Sequence, residues 1–168
     1  MSCSRVVWSF VRRFVGLLPI LLVVGASEAR PVPAGPRDLL RSLPDRSTVT
    51  VGDGVRLAAL FAGLSKGELD APASRKALVD ARLLKPTDAT DFGATLKRGL
   101  ASYLFFRAMR MKGGWVTRTF GPSPRYAYKE FVSRRLVLGD GENTPISGRE
   151  LVSMLKLSSD LVRSGGAR

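Results

Sequence analysis

The residues that could do chemistry lie close together between Thr95 and Phe131. They are Arg98, Arg107, Arg110, Trp115, Arg118, Arg125 and Tyr126, with Lys112, Phe120, Tyr128 and Lys129 interspersed. Guanidinium forks match the oxygens of carboxylates and phosphates, and aromatic faces suit sugar rings or bases. Such a set binds anions and flat or ring-shaped groups; it does not by itself break bonds. Phe105 and Phe106 sit in the same stretch, but their place in a helix makes them packing residues.

The rest of the composition narrows the chemistry. There is no histidine, and the single cysteine, Cys3, lies near the N-terminus. Ser/His/Asp and Cys/His catalytic arrangements are therefore excluded, as are ordinary zinc and iron sites. Carboxylate pairs could still do acid–base work, and Asp140, Glu142 and Glu150 cluster in sequence, as do Asp88 and Asp91. Both groups fall in loops or caps, where acidic residues have structural work. Gly139–Pro145 lacks the alternating Asp ladder and distal Glu of a calcium loop. Neither Gly52–Gly54 nor Gly113–Gly114 has the spacing of a phosphate loop. The expectation is a non-enzyme with no catalytic residue, no metal and no cofactor.

Charge points the same way. The chain has 168 residues, 27 basic against 14 acidic, for a net charge of +13. A surplus of this size attracts acidic partners and makes binding salt-dependent. Basic and aromatic content together also suit a nucleic-acid binder, but the N-terminus argues against that. Arg5, Arg12 and Arg13 precede the apolar run Phe14–Ala26, and Ala26–Ala29 supplies small residues for cleavage. Residues 1–29 thus read as a signal peptide cut after Ala29 or Ala26, with an uncleaved anchor as the alternative. The apolar run is short for a membrane span. No transmembrane anchor is expected once the signal is removed. The mature protein is then secreted or periplasmic, part of the cell envelope, and no nucleic-acid partner is expected. Cleavage after Ala29 lowers the net charge from +13 to +11, so it remains a basic protein.

The elements that must position these residues read as helices. Residues 30–36 form a Pro-rich spacer, and Arg37–Leu43 a short helix. Val51–Leu64 is a helix capped by Thr50, and Ala73–Leu84 a helix stopped by Pro86. The central helix runs from a Thr95 cap to a stop at Gly113–Gly114, with apolar residues near a period of 3.6. Trp115–Pro122 is a linker. Ser123-Pro124 opens the next helix, which runs to about Arg135. Ser147 and Glu150 form a capping box at the start of the last helix. The chain frays after Ser158, and residues 161–168 form a flexible tail.

Three stretches align without gaps: VTVGDGVRLAAL from Val49, LKRGLASYLFFR from Leu96 and ISGRELVSMLKL from Ile146. Each follows a shorter helix ending in a similar phrase, LLRSL, LVDARLL or FVSRRLV. The pattern is helix–loop–helix three times, in units of about 37–64, 73–112 and 123–160. Units this small must share a core.

This organisation resembles the S-layer homology (SLH) domain, whose longer helices begin with a motif like I-T-R-A-E. Leu96-Lys97-Arg98-Gly99 matches it with Arg98 at the arginine. Ile146-Ser147-Gly148-Arg149-Glu150 keeps the apolar, cap and acidic positions, and Val49-Thr50-Val51-Gly52-Asp53 does likewise. Val51 and Gly148 stand where the motif has arginine, and Leu100 where it has an acid. The resemblance covers residues 37–160 and implies an all-α fold, three helix–loop–helix units packed as a pseudo-threefold bundle. It also implies carbohydrate binding: a basic and aromatic groove, lined by the residues of the Thr95–Phe131 stretch, that holds an anionic cell-wall polysaccharide. The alternative is a periplasmic protein–protein interaction module with no glycan ligand, docking on another envelope protein.

Overall fold

Seven α-helices and one short 3-10 turn make up the described part of the computed structural model, which covers residues 36–65 and 70–165. These residues belong to one unit, Val32–Arg168; the other, Met1–Pro31, lies outside them. So do the expected signal peptide, most of the Pro-rich spacer, Lys66–Leu69 in the loop after the second helix, and the last three residues of the tail. Among the described residues there are no strands, only two isolated antiparallel bridges, Thr50–Thr95 and Lys97–Pro145. The all-α class stands.

The helices are α1 (Pro36–Ser42), α2 (Val51–Phe61), α3 (Ala71–Asp80), α4 (Arg98–Ala108), α5 (Trp115–Phe120), α6 (Pro124–Ser133) and α7 (Gly148–Arg163). Side chains set their starts. Thr50 and Asp53 form a reciprocal capping box on α2. Asp70 caps α3, Ser123 caps α6 with Pro124 behind it, and Ser147 accepts from the Glu150 N–H of α7. Glu150 does not complete a box, because its carboxylate is engaged by Arg98.

Helix α4 is central among the described helices. Its residues are buried nearly all round, and Leu104, Phe105 and Phe106 are almost wholly inaccessible. A helix apolar on every side must be surrounded. It packs on α6 and α2, and Phe105 meets Phe61 edge-on at 5.8 Å. Its start differs from the sequence expectation. Lys97, not Thr95, is the cap residue, since the Thr95 backbone is held in the bridge to Thr50.

Main-chain bonds tie the long helices together at their N-terminal ends. Leu96 N–H donates to Val49 C=O at 2.7 Å, and Ile146 N–H to Leu96 C=O at 3.0 Å. Val51 N–H donates to Ala94 C=O, Arg98 N–H to Thr144 C=O and Gly148 N–H to Arg46 C=O. Val49, Leu96 and Ile146 are all fully buried.

The helices end in one repeated way. After α3, α4 and α6, an arginine adopts a left-handed conformation: Arg82 (φ 57°), Arg110 (φ 52°) and Arg135 (φ 58°). In each case the next residue, Leu83, Met111 or Leu136, donates back five residues and is itself buried. This is the Schellman closure, in which glycine is the usual left-handed residue. Burying the following apolar side chain holds the arginine in a conformation that costs an L-residue about 1–2 kcal/mol.

Two further expectations are corrected. Trp115–Pro122 is not a bare linker, because Trp115–Phe120 forms α5, which packs on α6. The chain does not fray at Ser158 either: α7 continues to Arg163, with Ser158 buried and Leu161 half-buried.

Candidate functional site

Helix geometry separates the residues that the sequence groups together. Arg98 and Arg107 lie nine positions apart on α4, about 14 Å along its axis. They therefore serve opposite ends of the helix.

Arg98 is committed inside the fold. It is 7% exposed. Its Nε donates to Glu150 Oε1 at 2.7 Å and its Nη2 to Oε2 at 3.0 Å. Nη1 lies 3.2 Å from Asp140 Oδ2, near enough for an ion pair but outside hydrogen-bond geometry. The Glu150 hydrogen bonds raise the guanidinium pKa against the opposing effect of burial, and the Glu150 and Asp140 charges add to the rise. Arg98 is thus a tie between the N-terminal ends of α4 and α7.

Arg107 caps a neighbouring helix. Its Nε donates to Leu83 C=O and its Nη2 to Arg82 C=O, both at 2.7 Å. A cation at the end of α3 also suits that helix's dipole. Arg107 and the exposed Arg110 line one cavity of about 240 Å³ together with Arg82, Leu83, Phe106 and Met111. Arg82 was not among the sequence candidates, and no local signal marks it, since glycine is the residue expected at such a turn.

Trp115 and Tyr126 come together elsewhere. With Gly114, Thr117, Lys129 and Glu130 they line an open cleft of about 240 Å³ between α5 and α6. Trp115 is 77% exposed and Phe120 70% exposed. Phe120 lies against Tyr126, with ring centres 6.4 Å apart and planes 31° from parallel. Gly121, at φ 80°, follows α5 in a left-handed conformation that glycine adopts readily. Glu130 is held by Arg134 at 2.8 Å. Arg118 and Arg125 are exposed on the same two helices. The result is an aromatic platform with basic neighbours, open to solvent.

Tyr128, by contrast, is structural. Its hydroxyl donates to Leu138 C=O at 3.2 Å and accepts from Gly141 N–H at 2.8 Å. It pins the loop that carries Asp140.

Among the described residues, no group of three or more acidic, His or Cys side chains could hold a metal ion. No described helix is long and apolar enough to cross a membrane. No protein-family model, curated protein or solved structure matches the chain.

Proposed function

We propose that this is a non-catalytic cell-envelope protein that binds an anionic polysaccharide through the Trp115–Tyr126 platform. The observation that carries the reading is the exposure of Trp115 and Phe120. Large aromatic rings left in water on adjoining helices lose the burial that would otherwise stabilise the fold. A sugar ring stacked on them would recover it. Arg118, Arg125 and Lys129 supply cations for the acidic substituents of such a polymer. The cleft is small and open, which suits a chain lying across it rather than a molecule enclosed by it.

The framework of the reading is a pseudo-threefold bundle of SLH-like units. Two observations support it. The bonds Val51 N–H to Ala94 C=O and Arg98 N–H to Thr144 C=O join positions that correspond under the internal repeat. The bond from Gly148 N–H to Arg46 C=O then ties the third long helix back to the chain before the first. A signal peptide would deliver the protein outside the cytoplasm, where such polymers are found.

The test is sedimentation of the protein with purified cell-wall polysaccharide across a salt series. Wild type should bind at moderate salt, and Trp115→Ala should lose most of that binding at unchanged stability. Binding that disappears with modest salt and ignores Trp115 would indicate only a diffuse basic surface and would refute the platform.

A further inference from the structure

We infer that the cavity lined by Arg82, Arg107 and Arg110 is a phosphate-binding site, separate from the Trp115 platform. Three arginines line one cavity of about 240 Å³, and its remaining lining residues are apolar: Leu83, Phe106 and Met111. No carboxylate lines it. Asp88, which does not line it, accepts a hydrogen bond from the Tyr103 hydroxyl at 2.8 Å. Like charges gathered without a counter-charge repel one another, so the arrangement favours an anion.

The three arginines are not equivalent. Arg107 is anchored by two carbonyls, which engage Nε and Nη2. It is a fixed floor. Arg82 and Arg110 are exposed, on the left-handed turns that end α3 and α4. Each occupies a backbone position where glycine would be easier, and each brings a long cationic side chain to the same cavity. The negative ends of those helices, about half a charge each, offset only part of the three positive charges. The Arg82 and Leu83 carbonyls already accept from Arg107, and the Phe106 and Arg107 carbonyls accept from the Met111 and Arg110 N–H groups.

The geometry favours phosphate over other anions. Arginines converging from separate turns suit a tetrahedral dianion with several equivalent oxygens, whereas a single fork suffices for a planar carboxylate. The volume admits a phosphoryl group with a small attached moiety and is too small for an oligosaccharide. The phosphate could be free or carried on a sugar.

The experiment is a titration of the full protein with inorganic phosphate at constant ionic strength, followed by 31P NMR and by melting temperature. Glucose 6-phosphate provides a second arm, and chloride a control. Saturable binding is expected, with a matching rise in melting temperature. Arg82→Gly and Arg110→Gly should each weaken binding about tenfold or more. Both substitutions fit the left-handed backbone, so the fold should be kept, and Arg110→Gln gives the same test without a glycine. Arg163→Gln, which removes an exposed cation near the end of α7, should leave binding unchanged. Tighter binding of glucose 6-phosphate would assign the phosphate to a saccharide; equal binding would assign it to the free ion. Binding that does not saturate, or that falls equally in Arg163→Gln, would overturn the site. Loss of polysaccharide binding in Trp115→Ala with phosphate binding intact would show that the two sites stand or fall separately.

Discussion

Arg98 and Glu150 form a two-point ion pair across 52 residues of sequence, with contacts of 2.7 and 3.0 Å. Both side chains are largely buried, at 9% and 14% exposure. The pair joins the first turn of α4 to the first turn of α7, two helices whose main chains also meet at Leu96 and Ile146.

A buried pair of this kind is costly to break and cheap to replace. Arg98→Met leaves the Glu150 carboxylate without its partner and should destabilise the protein by about 3–5 kcal/mol. Asp140 cannot make up the loss, because it is itself an acid whose ion-pair partner is the same Arg98. Combining Arg98→Met with Glu150→Leu should recover most of the stability. Urea denaturation of the two single variants and the double gives the coupling directly.

Gly148 is required for a different reason. A Cβ at this position would stand 2.6 Å from the Leu43 carbonyl carbon and 3.2 Å from the Arg46 oxygen, on backbone that cannot move aside alone. Gly148 also donates to that Arg46 carbonyl at 3.0 Å. Gly148→Ala should therefore cost about 4 kcal/mol or more, in the range reserved for severe clashes. Thermal unfolding would read it, and a loss under 1 kcal/mol would mean that the approach of the α7 start to the Leu43–Asp45 turn is not as tight as described.

Much of the fold was legible because local signals wrote it. Thr50, Ser123-Pro124 and Ser147 each mark a helix start by a side chain that accepts a backbone N–H within three residues. What escaped was set by tertiary contact. Helix α5 has no side-chain cap and is only six residues long, so its sequence carries no helix signal. The true start of α4 depends on the Thr50–Thr95 bridge. The candidate residues were legible as a type, arginine with aromatics, but not as a site. Nothing local shows that Arg98 meets Glu150, or that Arg107 turns to the end of α3. Arg82 joins its cavity through a left-handed turn held by the burial of Leu83.

Tyr103 gives the fold an alkaline limit. It is 3% exposed, and burial first, then its hydrogen bond to Asp88, pushes its hydroxyl up to about 12 from the ordinary 10. A folded pKa above the unfolded one means that the protonated phenol stabilises the fold. That stability is fully present below about pH 10 and is lost as the pH rises through 12, by up to about 3 kcal/mol. Tyr103→Phe should be less stable at neutral pH, since Asp88 loses a donor, but its stability should no longer fall across this window. Denaturation midpoints for both proteins between pH 9 and 12 would show whether the slope belongs to Tyr103.

Arg135 isolates the energetics of the left-handed turn from any role in the arginine cavity. It has the same conformation as Arg82 and Arg110, φ 58°, but it ends α6 and does not line the cavity. Its side chain is exposed, so replacement removes no packing. Glycine would relieve about 1–2 kcal/mol of backbone strain. It would also loosen the unfolded chain, which offsets about 0.4–1 kcal/mol of that gain. Arg135→Gly should therefore be stabilising by roughly 0.5 kcal/mol, and Arg135→Ala should give no such gain because alanine keeps the Cβ. If Arg135→Gly is instead destabilising by more than 1 kcal/mol, the turn is held by the arginine side chain rather than by the burial of Leu136. The same variant would then warn that Arg82→Gly and Arg110→Gly report on folding as well as on phosphate.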